Sequence, residues 1–125
     1  MTSLSQIKTK KILVVGDVML DMYYKGDVRR ISPEAPVPVF RKKTERSVLG
    51  GAANVAANLV AANQQASIMS IIGEDANGRI LLDRFEEKDV SVDLLFRMQR
   101  STTVKTRFLA DNNQQIMRLD VEDTD

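Results

Sequence analysis

Three segments rich in hydrophobic residues have the length of buried β-strands, and the first of them is continuously apolar. Residues 12–15 form such a run, which Lys11 precedes and Gly16 closes. Continuous apolar runs of this kind are typical of parallel strands with both faces buried. We therefore predict a central strand here and two further core strands over residues 66–72 and 90–96.

Two segments between these runs have helical spacing. Residues 50–63 are rich in alanine, a strong helix former, and small side chains on almost every side predict a buried helix. Residues 75–88 place Ile80, Leu81 and Phe85 on one helical face, with charged residues elsewhere. Strands that alternate with helices predict an α/β fold, in which a parallel sheet carries crossover helices on both faces.

Four other segments alternate between apolar and polar residues. Residues 103–109 and 115–121 flank a polar turn at 111–113, which predicts an antiparallel hairpin with one solvated face. Residues 22–25 and 37–43 predict two more exposed strands, and the three prolines near the second one predict an extended loop or a sheet edge. Together these four segments predict a second, small antiparallel sheet.

The domain organisation follows from these elements. Residues 1–10 are mostly polar and are predicted to form a disordered lead, so the fold occupies residues 11–125. Three core strands are few for a doubly wound domain, and the chain stops directly after a predicted strand. We therefore expect this chain to be an incomplete part of a larger fold.

The amino-acid composition limits which partners and which kinds of functional site the chain can have. The 125 residues are 43% hydrophobic and 28% charged with a net charge of +1, so the charge favours neither nucleic acid nor a membrane surface as a partner. The absence of cysteine and histidine excludes disulfides, thiolate or imidazole metal sites and a histidine base, and we predict no metal site. No apolar stretch approaches the roughly 20 residues of a membrane span, and residues 1–11 lack the apolar region and small-residue cleavage site of a secretory signal. We expect a cytoplasmic protein.

The candidate binding residues lie in two places. Gly50 and Gly51 open the alanine-rich helix, where they either let a ligand approach the backbone or form a tight loop. Asn54, in the first helical turn, is the better ligand candidate of two amides four residues apart. Asp17 and Asp21 follow the end of a predicted strand, where open α/β sheets bind ligands, and we expect Asp17 to cap a loop.

Three motifs resemble the amino-terminal part of the ribokinase/PfkB family of carbohydrate kinases. They are Gly-Asp-Val-Met-Leu-Asp at 16–21, Gly-Gly-Ala-Ala-Asn-Val-Ala at 50–56, and Gly-Glu-Asp-x-x-Gly at 73–78. Within that family, residues 30–39 (Arg-Ile-Ser-Pro-Glu-Ala-Pro-Val-Pro-Val) and 114–120 resemble the D-glycero-β-D-manno-heptose 7-phosphate kinases. The proline-rich stretch is the most specific part of a resemblance that covers residues 11–122.

The resemblance implies a role for each matching residue. In the family, the aspartate matching Asp21 binds sugar hydroxyls, and the asparagine matching Asn54 forms a hydrogen bond with the sugar. The glycines matching Gly50 and Gly51 let the sugar lie against the backbone. The alternating strands near 22–44 and 102–122 match a lid that closes over the sugar and often pairs with the lid of a second subunit, which implies a homodimer. Ribokinase itself has lysine where this chain has Ala52, which favours a heptose kinase over a ribose kinase.

The resemblance also implies parts that this sequence lacks. The family's catalytic aspartate and anion hole lie in a Gly-Ala-Gly-Asp motif, which none of the six glycines matches. The site for ATP and Mg²⁺ of the complete enzyme is expected outside this chain as well. We therefore assign no catalytic residue here and expect the chain alone to be inactive.

A sugar phosphate also needs its phosphate held. Lys105 and Arg107 lie on the same side of their predicted strand, and Arg29 and Arg30 lie near the other lid strands. For any one of these four, a solvated surface charge is an equally good interpretation. The basic residues just before the glycine pair are interpreted as a solvated charge run: Arg41, Lys42, Lys43 and Arg46.

Three functions remain open at the level of sequence. The first is the sugar-binding half and lid of an ATP-dependent heptose 7-phosphate kinase, which phosphorylates the anomeric hydroxyl in ADP-heptose and lipopolysaccharide core synthesis. The second is another PfkB-type kinase, for fructose, ribose or a nucleoside. The third is a non-catalytic chain that binds a sugar or dimerises through its lid.

Overall fold

The computed structural model describes residue 3 and residues 6–123, so part of the predicted lead lies outside the described residues. The chain folds into two sheets and two helices. In chain order the elements are β1 (Lys11–Val15), β2 (Val18–Ile31), β3 (Pro38–Gly51), α1 (Ala52–Ala61), β4 (Gln65–Gly73), α2 (Ala76–Glu87), β5 (Ser91–Met98), β6 (Val104–Ala110) and β7 (Gln115–Val121).

The first sheet is parallel and has the order β1-β4-β5. Its core side is built from Ile68 and Ile72 of β4 packed against Leu81 and Phe85 of α2 and the small residues of α1. Only one side of α1 faces this core, because Ala53 and Ala56 are buried while Val55 is half exposed. The prediction that this helix is buried nearly all round was therefore wrong. Neither described helix is long and apolar enough to span a membrane.

Both helices cover the same face of the parallel sheet. The strand order shows that the chain crosses the sheet twice in the same direction, and because such parallel crossovers share one hand as a rule, both helices lie on one side. On the opposite face, Leu13 and Val15 of β1 are 47% and 67% exposed, and Ile71, Phe96 and Met98 are exposed too. Among the described strands β1 lies at an edge, so the prediction of a central strand buried on both faces was wrong for this chain.

The second sheet has four strands in the order β3-β2-β6-β7. Its two hairpins, β2 with β3 and β6 with β7, are antiparallel as predicted, but β2 pairs with β6 in parallel, so the sheet is mixed. Strands β2 and β3 have 14 residues each and are much longer than predicted. Strand β2 extends beyond residues 22–25 at both ends, and β3 continues through residues 44–51.

The two faces of the second sheet differ in chemistry. Val18, Leu20, Leu49 and Val104 are buried in the core that the helices form. Because side chains alternate along a strand, the residues between them lie on the opposite face. We call that face the polar face and define it by Asp21, Tyr23, Arg46, Lys105, Arg107, Arg118 and Asp120.

Candidate functional site

The carboxylate of Asp21 lies against the backbone of Gly50. Asp21 is on β2, directly opposite Val48 of β3, and Gly50 follows two residues later on the same face. A Cβ atom at position 50 would lie 2.6 Å from Asp21 Oδ2 and 2.8 Å from the Cγ atom of Met19. A larger residue here would therefore displace the Asp21 carboxylate or Met19, which is a more direct reason for glycine than the approach of a ligand to the backbone.

Asp21 faces a guanidinium group across the strand pair. Arg107 Nη1 lies 3.3 Å from Asp21 Oδ1, and the two side chains are 24% and 19% exposed. Both atoms are buried, and neither has a hydrogen-bond partner in the described part of the chain. Buried polar atoms are seldom left unpaired, because each costs about 1–3 kcal/mol. A bound hydroxyl group could accept from Arg107 and donate to Asp21.

Lys105 lies in the same row as Asp21 but pairs with another carboxylate. Its Nζ atom is 3.2 Å from Asp120 Oδ2, and Arg118 Nε is 2.9 Å from Asp120 Oδ1. Removal from water raises the pKa of Asp120, but the hydrogen bonds from Lys105 and Arg118 outweigh this and hold the pKa below its usual value. Lys105 and Arg107 do lie on the same side of β6, as the alternation predicted.

Gly51 shapes the start of the helix α1. It has φ of 60°, a left-handed conformation that favours glycine, and it lets Ala52 N donate to the backbone oxygen of Asp17 at 2.9 Å. Only the main-chain oxygen of Asp17 takes part in this contact, and within the described residues its side chain forms no hydrogen bond that would cap a loop. Asp17 also borders a cavity of about 400 Å³ at the carboxyl ends of β1 and β4.

Asn54 lies apart from these groups. It borders a groove of about 730 Å³ between the two helices, together with Asn58, Leu49 and Arg84. Both asparagines are exposed, so neither carries the cost of a buried unpaired amide. The Asn54 side chain forms no hydrogen bond within the described residues, and Asp21 is not among the residues that line this groove.

The arginines near the other lid strands lie far from Asp21. Arg29 is eight residues further along β2, roughly 25 Å away at the usual rise per residue, and its side chain pairs with Asp111 at 3.5 Å. Arg30 pairs with Val39 at the same distant end of the hairpin. These two residues therefore cannot hold the same small ligand as Asp21.

Two residues of the polar face were not predicted as site residues. Arg46, interpreted from sequence as part of a solvated charge run, stacks over the ring of Tyr23 with its Cζ atom 4.3 Å from the ring centroid. Tyr23 is two residues after Asp21, and period-two counting from Asp21 would have placed it on the same face. Arg46 gave no such signal, because its segment did not resemble a strand.

A second carboxylate joins the two sheets. Asp75 caps α2 by accepting from Gly78 N at 2.7 Å, and it also accepts from the hydroxyl and amide of Thr102 at 2.6 and 2.9 Å. Burial raises the pKa of Asp75, but these hydrogen bonds outweigh it and lower the pKa overall. Thr102 in turn accepts from Gly73 N, so the end of β4, the start of α2 and the segment before β6 are fastened together.

Most of the chain is similar in sequence to bacterial proteins of two kinds. It is 52% identical over 113 residues to the bifunctional protein HldE of Nitratiruptor, which covers 90% of this chain and 24% of that protein. It is 44% identical over 117 residues to a D-beta-D-heptose 7-phosphate kinase of Bordetella bronchiseptica, covering 94% of this chain and 37% of that protein. This chain thus spans 24% to 37% of the length of these relatives.

Solved structures have the same fold. A carbohydrate kinase from Agrobacterium tumefaciens superposes with a TM-score of 0.73 at 22% identity, covering 91% of this chain and 36% of that one. The ribokinase of Arabidopsis thaliana, solved with ribose and ATP, gives 0.72 at 21% identity, covering 92% and 36%. Residues 9–123 match the family described as pfkB family carbohydrate kinase. The two-sheet fold, the resemblance of the motifs and this match lead to one conclusion: the chain is a member of the pfkB carbohydrate kinase family.

Proposed function

We propose that this chain is the sugar-binding half and lid of an ATP-dependent kinase for D-glycero-β-D-manno-heptose 7-phosphate. The kinase phosphorylates the anomeric hydroxyl in ADP-heptose and lipopolysaccharide core synthesis. The observation that carries the proposal is the buried ion pair of Asp21 Oδ1 and Arg107 Nη1 beside Gly50, in which neither atom has a hydrogen bond from the described residues. The name of the Bordetella relative, which is 44% identical, supports the choice of sugar.

In this proposal the residues bind and orient the sugar. The Asp21 carboxylate accepts hydrogen bonds from sugar hydroxyls, and Arg107 Nη1, which has no hydrogen bond from the described residues, donates to a hydroxyl oxygen. Gly50 and Gly51 keep the backbone close to the carboxylate. Asn54 is included as a sugar ligand on the family resemblance, and its exposed amide is free to bind.

The proposal assigns ATP and Mg²⁺ to the complete enzyme. No cluster of three acidic side chains suited to a metal occurs in the described ranges. No residue of this chain is assigned to the nucleotide, and no step of phosphoryl transfer is assigned to these residues. ATP supplies the phosphoryl group when bound, and this chain's part is to hold the acceptor sugar. We propose the cytoplasm as the compartment, which agrees with a chain that has no cysteine.

We also propose a homodimer that forms through the second sheet. On β7, an edge strand of that sheet, Met117 is 53% and Leu119 50% exposed, and Val121 lies on the same side. These side chains are the uncovered part of the predicted lid surface. Phe108 lies opposite Met117, but its ring packs edge-on against Tyr24 and Phe40 of its own sheet, so the exposed side chains of β7 form the proposed contact.

The dimer is tested by light scattering on the full-length protein across a dilution series. We expect a dimer that Leu119→Asp converts to monomer, while Asn112→Asp in the β6–β7 turn leaves it intact. A wild-type monomer at every concentration would overturn the proposed assembly and leave the sugar site unaffected.

The kinase is tested by ATP consumption with the full-length protein. We expect turnover with heptose 7-phosphate, a sugar 1,7-bisphosphate product in phosphorus NMR, and no turnover by the isolated 125-residue chain. Turnover only with fructose, ribose or a nucleoside would instead support another PfkB-type kinase. Sugar binding without ATP consumption would support a non-catalytic protein.

A further inference from the structure

A single row of side chains crosses the whole polar face, one residue from each strand. Tyr23 of β2 lies opposite Arg46 of β3 on one side and opposite Arg107 of β6 on the other. Arg107 lies opposite Arg118 of β7. Residues opposite each other point to the same side of a sheet, with Cα atoms roughly 5 Å apart. We call Arg46, Tyr23, Arg107 and Arg118 the arginine row.

Tyr23 holds two guanidinium groups in place. Arg46 Cζ lies 4.3 Å and Arg107 Cζ 5.4 Å from the centroid of its ring, both within cation–π range. A guanidinium over an aromatic ring keeps its N–H groups available in a planar fork, which suits the oxygens of a phosphate. The ring therefore preorganises cations on both sides of β2.

The charges of the polar face are unequally paired. Lys105 and Arg118 both use Asp120, and Arg107 faces Asp21 with a buried nitrogen that has no hydrogen bond. Arg46 forms no ion pair with any carboxylate of the described residues. Four cations thus face two carboxylates in these two rows, which leaves a positive excess suited to a dianion.

The arginine row lies next to the row that contains Asp21. The two rows are two residues apart along each strand, a spacing of roughly 7 Å. A ligand that places hydroxyl groups on Asp21 can therefore extend an anionic group several bonds away onto Arg46 and Arg107. Lys105 is in the Asp21 row itself and is already engaged by Asp120.

We propose that Arg46 and Arg107, stacked on Tyr23, bind the phosphate group of the sugar substrate, and that Arg46 sets the preference for a phosphorylated sugar. The proposal rests on the proposed function, because it takes the ligand of Asp21 to be a sugar phosphate. It differs from the sequence-based expectation by assigning the main phosphate contact to Arg46 and giving Lys105 a secondary place.

The test compares two ligands and three proteins. Heptose 7-phosphate and unphosphorylated heptose are titrated calorimetrically into the full-length wild type, Arg46→Gln and Lys42→Gln. Lys42 is the matched control, because it lies on the same strand over the ring of Tyr24, at 5.0 Å, on the other face. We expect Arg46→Gln to weaken binding of the phosphorylated sugar about tenfold or more, as loss of a charge-assisted hydrogen bond would. Lys42→Gln should change neither affinity.

The unphosphorylated sugar decides the interpretation. We expect its affinity to stay within about twofold in Arg46→Gln, since an exposed cation contributes little to a neutral ligand. Tyr23→Phe, which keeps the ring, should bind the phosphorylated sugar like the wild type, whereas Tyr23→Leu should resemble Arg46→Gln. Equal weakening for both sugars, or wild-type affinity for the phosphorylated sugar in Arg46→Gln, would overturn the inference. A wild type that binds neither sugar would instead overturn the proposed function.

Discussion

Asp75 and Asp21 both have partly buried carboxylates, but the two differ in how many hydrogen bonds they accept from the protein. Asp75 accepts three hydrogen bonds, from Gly78 N and from the amide and hydroxyl of Thr102. Asp21 faces a single guanidinium at 3.3 Å, and its buried Oδ1 accepts no hydrogen bond from the described residues. A carboxylate whose acceptor positions are used within the protein stabilises the fold, whereas one with a buried oxygen left open is available for a ligand.

The largest effect on stability is expected from removing Asp75, whose carboxylate accepts three hydrogen bonds. Asp75→Ala should lower the free energy of unfolding of the full-length protein by about 2–4 kcal/mol, because it removes a helix cap and leaves Thr102 buried without its partner. Urea unfolding followed by circular dichroism measures this change. Asp83→Ala, on the exposed side of the same helix, is the control and should be nearly neutral.

Removal of the Asp21 carboxylate, whose buried Oδ1 accepts no hydrogen bond from the described residues, should lower activity and leave the fold stable. Asp21→Ala should lower kcat/KM for the sugar at least about tenfold, equivalent to roughly 1.4 kcal/mol of transition-state stabilisation. Its melting temperature should stay close to that of the wild type. Steady-state kinetics with a thermal melt on the same sample test both statements, and unchanged kinetics would make Asp21 a structural residue.

Substitutions at Gly50 and Gly51 should separate an effect on sugar binding from an effect on fold stability. Gly50→Ala should raise the KM for the sugar by roughly threefold to tenfold, about 1 kcal/mol, because the new Cβ displaces the Asp21 carboxylate. Gly51→Ala should instead lower stability, since its Cβ meets the backbone oxygen of Asp17 at 2.6 Å and its φ is positive. The comparison fails if both variants change the same quantity.

The smallest effect is a change of stability with pH. The pKa of Asp75 is lowered on folding, so its contribution is fully present above the unfolded value of about 3.9 and is lost as the pH falls through the folded value. The difference in unfolding free energy between wild type and Asp75→Asn should therefore be constant from about pH 7 to 5 and shrink below about pH 4. A difference that already shrinks between pH 7 and 5 would contradict this origin.

Much of the fold could be predicted from periodicity alone. The alternation over residues 103–109 placed Lys105 and Arg107 on one side of a strand, and the register with β2 confirms it. Arg46 could not be found in this way, because its neighbours are polar on both faces and the pairing with β2 defines the strand. The continuous apolar run of β1 predicted burial, but burial depends on which layers pack on the sheet, and both helices here lie on one face.

The parallel pairing of β2 with β6 also determines when, during folding, the polar face can form. Leu20 through Gly26 pair with Val104 through Ala110, so the two halves of the face are separated by more than 80 residues of sequence. Contacts of such high sequence separation form slowly, because the loop between them must close first. During synthesis, the β2–β3 hairpin leaves the ribosome with one edge unpaired until β6 emerges. That edge is the segment most exposed to wrong pairing while the protein folds.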